Sequence, residues 1–416
     1  MNTLFLGLAA MSAAGPTHLV DWLELAEARV PELTAARQEA RAAARRADAA
    51  GGDWPALQLR YAASPLPIET RLGPQRHRVA LVQPVPWLGA LDAAAQGARA
   101  RAQALDYDRA SLSRDVAAAV VDGFISLWAV ERKLDLVAAR IRSRARGLEG
   151  VRALGASEVG GEVAVAQAEL AVVALEVERA RLEGLRSARQ IALRSHSGLE
   201  PAGEAEAREV PAGLGEGLLP EASEAPTELA AASRLRAREA ERDAVARRLR
   251  PRFTVGVAWL EVGAESDVSD AGRDALVVEL GASFPLASWG AETARREAAE
   301  AERSAAEEQQ RAVSLATASR RSLLRAEMAA AKENLQIHRS RLLPAARRTL
   351  DLARARYAAA ASGFDGVVEA EDRLLAAELE TVEAEARLYR AQGALLAFDL
   401  SPAELRARLR TSGGSS

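Results

Sequence analysis

The chain has 416 residues, of which 49% are hydrophobic and only 4% are aromatic. Its 55 basic and 58 acidic residues are interleaved, giving a formal net charge of −3, and no basic stripe for nucleic acid binding stands out. The absence of cysteine excludes disulfides, thiolate metal sites, a thiol nucleophile and a lipid anchor on cysteine. The dominance of Ala, Leu, Arg and Glu favours long helices packed through small residues.

The first 14 residues have features of an export signal. Leu4 to Ala10 form a short apolar run, and Ser12, Ala13 and Ala14 provide the small residues of a signal-peptidase site. This predicts a signal peptide over residues 1–14. No Lys or Arg precedes the run, so a buried or misassigned N-terminus is the alternative. No stretch approaches the roughly 18–20 apolar residues of a membrane-spanning helix, so any membrane crossing must be by β-strands.

The sequence contains an internal duplication with a period of about 200 residues. Residues 15–200 and 227–400 are each predicted to form a helix, a strand pair and a long helical hairpin. Residues 201–226, rich in Gly, Pro and Glu, are predicted to form a linker that runs over the surface. Residues 401–416 are predicted to be a C-terminal tail.

The first repeat begins with a predicted helix over 17–50, followed by predicted strands over 55–61 and 78–83. A predicted helix then runs from Gly89 to about Arg152, a span that contains no proline. At 1.5 Å per residue this helix would be on the order of 90 Å long.

The second repeat has the same order, with a predicted helix over 227–248, strands over 252–259 and 275–282, and a long helix over 291–357. In its first strand large residues alternate with small ones, which indicates a sheet with one apolar face. The large residues are Phe253, Val255, Val257 and Trp259.

The helices and the strands point to different kinds of protein. Apolar residues recur at helical spacing in the first long helix, as expected for packing against neighbouring helices in a soluble bundle. These are Val116, Val120, Phe124, Leu127 and Leu134. Four strands cannot close on themselves, and lipid does not tolerate open sheet edges, so strands that cross a membrane would have to be pooled from several copies. The alternative is a small soluble sheet that caps the bundle.

Trp87 and Trp289, at strand-to-helix junctions, could be interfacial anchors or core residues.

From His18 to Leu400 the order of elements resembles the TolC-type outer membrane efflux protein family, the outer membrane factors of tripartite export systems. The matching positions occur in both repeats, and their order together with the duplication is more specific than any one of them. They are Leu25-Ala26, Pro31-Glu32-Leu33, Pro55-Ala56-Leu57, the run from Gln83 to Gly89, Leu249-Arg250-Pro251, Phe284-Pro285-Leu286 and Arg356-Tyr357.

The resemblance implies a mainly α fold with a small β component. Three chains would contribute their helical hairpins to a trimeric α-barrel, and four strands each to a shared 12-stranded transmembrane β-barrel. The protein would then be an exit duct in the outer membrane, extending into the periplasm, for a tripartite efflux or type I secretion system. It would be a passive conduit without a cofactor and not an enzyme.

The partners implied by the resemblance are outer-membrane lipid, a periplasmic adaptor (membrane fusion protein) and an inner-membrane transporter of RND, ABC or MFS type. The transported substrate and the class of pump stay open. The alternative function is a periplasmic coiled-coil adaptor or scaffold without a pore, although adaptors usually carry one helical hairpin.

The ends of the two long hairpins are the candidate functional positions. By resemblance, Tyr357, Asp365 and Glu369 would form a periplasmic gate at the second tip. The predicted adaptor contacts are Gly155, Ser157, Ser362 and Gly363. Ser362 stands where the family often has arginine and Gly366 where it often has aspartate, and the alternative is that all of these are ordinary turn residues.

No catalytic set is recognisable in the sequence. The four histidines lie in unrelated segments, without a carboxylate or second histidine at ligand spacing. They are His18, His77, His196 and His338.

Overall fold

The structure is a computed structural model that describes residues 16–70, 73–155, 161–211, 214, 224–248, 250–263, 272–284, 289–359 and 363–411. The predicted signal peptide over 1–14 lies outside these residues. The described chain is mainly α-helical with one four-stranded antiparallel sheet, as the sequence predicted.

The described elements follow the predicted order. They are α1 (Leu19–Arg29), α2 (Pro31–Ala50), β1 (Gln58–Thr70), β2 (Gly73–Val85), α3 (Ala90–Gly155), α4 (Gly161–His196), α5 (Pro226–Arg248), β3 (Arg252–Val262), β4 (Ala275–Ser283), α6 (Trp289–Ile337), a π-helical turn (His338–Leu342), α7 (Leu343–Ala358), α8 (Phe364–Asp399) and α9 (Pro402–Thr411).

The first predicted helix is divided in two, so the prediction of one helix over 17–50 was wrong at its middle. Val30 has extended backbone, with φ −63° and ψ 117°, and α2 begins at Pro31. Proline disfavours helical backbone in the residue before it and is well tolerated in the first turn of a helix. The break therefore follows from Pro31.

The long helix of the second repeat contains a π turn over His338–Leu342 that the sequence analysis missed. Pro344, at the start of α7, has no N–H to donate to the carbonyl group four residues earlier. A wider turn accommodates this lost hydrogen bond, which explains why α6 and α7 are separate segments of one path.

The described residues form two compact units, and each repeat contributes to both. The first unit takes the described residues of 1–35, 109–225 and 316–416, and the second those of 36–108 and 226–315. The core of the first unit includes Trp22 and Phe124, both fully buried.

Two segments of the first unit differ from their predictions. Within its described residues, the predicted surface linker packs into the core of this unit through Ala205, Ala207 and Leu214. The predicted tail contains α9, whose Leu405 and Leu409 are buried in the same core.

The sheet belongs to the second unit and has the strand order β1-β2-β3-β4. Each neighbouring pair is antiparallel, and the β2–β3 pairing joins the hairpins of the two repeats. In the middle of the sheet Leu59 pairs with Leu81, Leu81 with Val257, and Val257 with Val278. These four side chains therefore lie in one row on one face.

Candidate functional site

One face of the sheet is apolar and exposed. Its side chains, here called the apolar face, come from alternate residues of the four strands that pair with one another across the sheet. Nearly all of them are exposed. The apolar face consists of Leu59, Tyr61, Val79, Leu81, Phe253, Val255, Val257, Trp259, Leu276, Val278 and Leu280. Leu276 and Leu280 are 74% and 80% exposed. A continuous patch of this kind marks a surface that contacts something other than water.

The opposite face of the sheet carries small and polar side chains together with apolar ones, among them Val82 and Leu260. It includes Thr254, Gly256 and Ala258 of β3, as the alternation in the sequence predicted. Arg78 of β2 forms an ion pair with Glu279 of β4 on this face. The two faces thus differ in chemistry, as expected for a sheet between an apolar medium and an aqueous one.

Aromatic side chains lie at both margins of the apolar face. At one margin Trp87 stacks on Phe253 with ring centroids 5.9 Å apart, and the Arg250 guanidinium lies 5.8 Å from the Trp87 ring centroid. At the other, Tyr61 stacks on His77, and a 2.9 Å hydrogen bond joins the Tyr61 hydroxyl to His77 Nδ1. The strand length between the margins, from Phe253 to Trp259, is about 20 Å at 3.3 Å per residue.

His77 has a carboxylate neighbour that the sequence analysis did not find. The β2–β3 register pairs His77 with Glu261, and His77 Nε2 lies 3.9 Å from the Glu261 carboxylate. The partner lies in the other repeat, so sequence spacing could not reveal it. The side chain of Trp289, the other predicted anchor, lies outside the described residues.

No helix in the described part of the chain is both long and apolar enough to cross a membrane.

At the predicted gate the side chain of Tyr357 contacts that of Phe364. The two rings, at the end of α7 and the start of α8, meet edge to face with centroids 5.7 Å apart. Asp365 and Glu369 are exposed, and Glu369 accepts a 2.6 Å hydrogen bond from Arg373 one turn further along α8. The gate role of Tyr357, Asp365 and Glu369 stays a prediction.

The predicted adaptor contacts are only partly described. Gly155 is the last residue of α3, and Gly363 precedes α8 with extended backbone. Ser157 and Ser362 lie outside the described residues. The adaptor role of these four positions also stays a prediction.

Basic residues of α3 pair with acidic residues of α8, in an arrangement here called the α3–α8 ladder. Lys133 donates to Glu383 at 2.7 Å, Arg140 to Glu378 at 3.4 Å, and Arg144 to Asp372 at 2.5 Å. The order along α8 is the reverse of that along α3, as antiparallel packing requires.

The charges of the ladder alter the ionisation of Glu383. Burial alone would raise the pKa of its carboxyl, but hydrogen bonds and charges from Lys133 and Arg390 outweigh burial and lower it. Glu383 is therefore held as a carboxylate between two cations.

The ladder is not apparent from the sequence. Arg140 and Arg144 are spaced like several other arginines of α3 that are exposed, such as Arg142 and Arg146. The distinguishing signal is the register between two helices more than 200 residues apart, which a single sequence does not contain.

The fold is shared with solved outer-membrane channels, and part of the chain matches a family model. The family model described as "outer membrane efflux protein" matches residues 221–398, which confirms the resemblance seen in the sequence. No curated protein is detectably similar in sequence.

Several solved outer-membrane channels share the fold over nearly the whole chain. The outer membrane protein VceC of Vibrio cholerae is 19% identical, with a TM-score of 0.71, and the match covers 92% of this chain and 96% of VceC. The open-state channel MtrE of Neisseria gonorrhoeae is 15% identical, with a TM-score of 0.73 and coverage of 92% and 88%. CusC is 15% identical, with a TM-score of 0.74 and coverage of 93% and 94%.

Proposed function

We propose that the protein is one protomer of a trimeric outer-membrane exit duct, a passive conduit for substrates driven by an inner-membrane pump through a periplasmic adaptor. The observation that carries this proposal is the exposed apolar face of the sheet, with aromatic side chains at both margins. In water such a face would be an aggregation hazard, whereas lipid solvates it.

The two outer strands of the sheet argue for assembly of several copies. β1 and β4 each have one neighbouring strand, so one edge of each presents backbone N–H and C=O groups without sheet partners in the described chain. Such groups cannot face lipid, since each unsatisfied group costs several kcal/mol there. Pooling the strands of several copies into one closed sheet satisfies them, and the family resemblance suggests three copies.

Two exposed apolar helix surfaces support the same assembly. On α4, Val163, Leu170 and Val177 recur every seven residues and are 63%, 69% and 66% exposed. On α6 and α7, Leu323 and Leu352 are 48% and 64% exposed. Two different apolar surfaces on one chain suit a head-to-tail contact, which closes into a ring when it is repeated.

The remaining assignments follow from the resemblance. Tyr357, Asp365 and Glu369 would constrict the periplasmic end of the duct, and Gly155, Ser157, Ser362 and Gly363 would lie where the adaptor docks. The face of the sheet that carries Arg78 and Glu279 would line an aqueous path, as passive conduction requires.

Light scattering of detergent-extracted protein tests the assembly. We expect particles of three chain masses, recovered from the outer-membrane fraction of cells. A stable, soluble monomer in the absence of detergent would contradict the proposal. Planar-bilayer recording separates the proposal from the adaptor or scaffold alternative, because only a duct produces ionic conductance.

A further inference from the structure

The face of the sheet opposite to the apolar face, here called the basic face, carries one charged side chain from each strand. The strand register assigns to it Arg60 of β1, Arg78 of β2, Arg252 of β3 and Glu279 of β4. In the regularly paired part of the described sheet, these are its charged residues. Three guanidinium groups therefore accompany one carboxylate, and each chain has an excess of positive charge on this face.

The one carboxylate of the basic face is held by an arginine two strands away. Because β3 lies between β2 and β4, the Arg78 side chain extends across β3 to pair with Glu279. On this face β3 presents Gly256 and Ala258, which are both buried. Side chains as small as these leave space for a long arginine side chain to lie along the sheet.

Arg60 has no carboxylate partner in the part of the chain that the structure describes. Its Nε and Nη2 both donate to Gln58 Oε1, at 3.2 and 2.7 Å, and the residue is exposed. A neutral amide fixes the position of the guanidinium without cancelling its charge. The other N–H groups of the guanidinium are left for a further acceptor, because arginine carries several donors and no acceptor.

Assembly of identical copies does not remove the excess of positive charge. β1 and β4 are the edge strands of the sheet, so closure of several copies joins the strand that carries Arg60 to the strand that carries Glu279. Such closure can exchange one partner of Glu279 for another, but every copy brings the same three arginines and one glutamate. The excess therefore persists in a closed sheet.

The chemistry of the basic face suits small anions. A guanidinium group offers a planar pair of N–H donors that matches the oxygens of a carboxylate or a phosphate, and its charge persists at every physiological pH. Charges of one sign that line a narrow aqueous cleft also raise the local concentration of the opposite ion.

We propose that the basic face is an anion-binding site centred on Arg60, and that the solutes which pass it are anions with carboxylate or phosphate groups. Weak binding of this kind is compatible with passage, because conduction requires that a bound ion can also leave. The passage of solutes along this face rests on the proposed function, whereas anion binding is a property of the sheet itself.

Block of planar-bilayer conductance by inorganic pyrophosphate, added to each side in turn, tests the site. We expect Arg60→Gln to raise the pyrophosphate concentration for half block by roughly fivefold, because each chain loses one attracting charge. Gln58→Glu should have a similar effect, since it places a carboxylate against the Arg60 guanidinium. Arg60→Lys keeps the charge and should retain most of the block. If Arg60→Gln fails to assemble, Gln58→Glu tests the same charge with Arg60 in place.

Arg45→Gln is the matched control, because it removes an arginine from α2 and leaves the sheet unchanged. The Arg45 side chain is 88% exposed and lies 3.6 Å from Asp48 on the same helix. Its block by pyrophosphate should equal that of the unsubstituted protein. Equal weakening of the block in Arg45→Gln and Arg60→Gln would indicate a general effect of net charge and would overturn the proposal.

Phosphorus NMR of pyrophosphate with the detergent-solubilised protein detects the same binding without conductance. We expect line broadening by the unsubstituted protein that is reduced in Arg60→Gln and in Gln58→Glu. A protein that never conducts but shows this dependence contradicts the duct alone. A conducting protein whose Arg60→Gln and Gln58→Glu variants keep both the block and the broadening contradicts the anion site alone.

Discussion

Apolar side chains are exposed on one face of the sheet and buried in the helical core. In β4, Leu276 and Leu280 are 74% and 80% exposed, whereas Trp22 and Phe124 of the first unit are fully buried. Both regions have regular apolar patterns, one alternating along strands and one recurring at helical spacing. Periodicity therefore identifies which residues share a face, but not which solvent that face meets.

The largest expected effect comes from the helical core. Phe124→Ala should lower the free energy of unfolding by about 3–5 kcal/mol, because it leaves a cavity among fully buried neighbours. Leu280→Ala should change it by roughly 0.5 kcal/mol or less, since the side chain is exposed. Urea denaturation of the detergent-solubilised protein measures both. Equal losses of unfolding free energy in the two variants would mean that Leu280 is buried in a contact between protein chains. The contrast between an exposed sheet face and a buried helical core would then be wrong.

The two faces of the sheet allow a sharper test with neighbouring valines. Val278 lies on the apolar face and is 68% exposed, whereas Val277 lies on the opposite face and is 40% exposed. Val278→Arg should reduce the stability of the membrane-inserted form by about 2–4 kcal/mol, because it places a charge in the apolar layer. Val277→Arg should assemble normally and alter conductance.

The yield of folded protein in the outer-membrane fraction measures this pair of variants. Loss of assembly in both would indicate that the two faces are equally intolerant of charge. Normal assembly of Val278→Arg would argue for the soluble-sheet alternative.

A smaller effect is expected at the start of α9. Glu404 accepts hydrogen bonds from the Ser401 backbone N–H and hydroxyl, both at 2.8 Å, and the Ser401 hydroxyl accepts one from the Glu404 N–H at 3.3 Å. This is a capping box. Ser401→Ala should cost about 1 kcal/mol of helix stability, measured by hydrogen exchange of the α9 amides. Unchanged exchange would show that core packing by Leu405 and Leu409 alone holds α9.

The capping box also predicts a pH dependence with a definite sign. Hydrogen bonds from the Ser401 N–H and hydroxyl lower the pKa of Glu404. Its carboxylate therefore stabilises α9 above its unfolded pKa of about 4.3, and the contribution is lost as pH falls through the lower folded pKa. The protection of the α9 amides, relative to their intrinsic exchange at each pH, should fall from roughly pH 5 to pH 3, a window set by that reference pKa. This loss of protection should be absent in Glu404→Gln.

Sequence reasoning succeeded for elements whose signals are local. The helix α3, the four strands and the Phe253 to Trp259 alternation follow from periodicity and proline placement. The break at Val30, the π turn before Pro344 and the start of α9 also carry local signals, in Pro31, Pro344 and the Ser401–Glu404 spacing.

The α3–α8 ladder could not be predicted in the same way. Arg144 is one of many arginines on a long helix, and its burial depends on the register of α3 against α8. That register is set by core packing over many turns, including contacts of residues such as Phe124. The pairing of Arg144 with Asp372 is therefore a tertiary property, and no spacing within either helix indicates it.

The smallest expected effect on stability concerns the exposed charge at the end of the second hairpin. Glu369 and Arg373 form an i,i+4 pair, with side chains 66% and 63% exposed, and such pairs contribute about 0.3–0.5 kcal/mol. In the proposed trimer, symmetry places three copies of each pore-facing side chain around one axis, so small charges become a ring. Glu369→Gln should therefore reduce cation preference and weaken block by multivalent cations in planar bilayers, with little change in stability.

Arg373→Gln is the reciprocal control, and it should shift selectivity in the opposite direction because it leaves Glu369 without its cation. If selectivity and block are unchanged in Glu369→Gln, in Arg373→Gln and in the double variant Asp365→Asn, Glu369→Gln, these carboxylates are solvated turn residues and the constriction lies elsewhere along the hairpins.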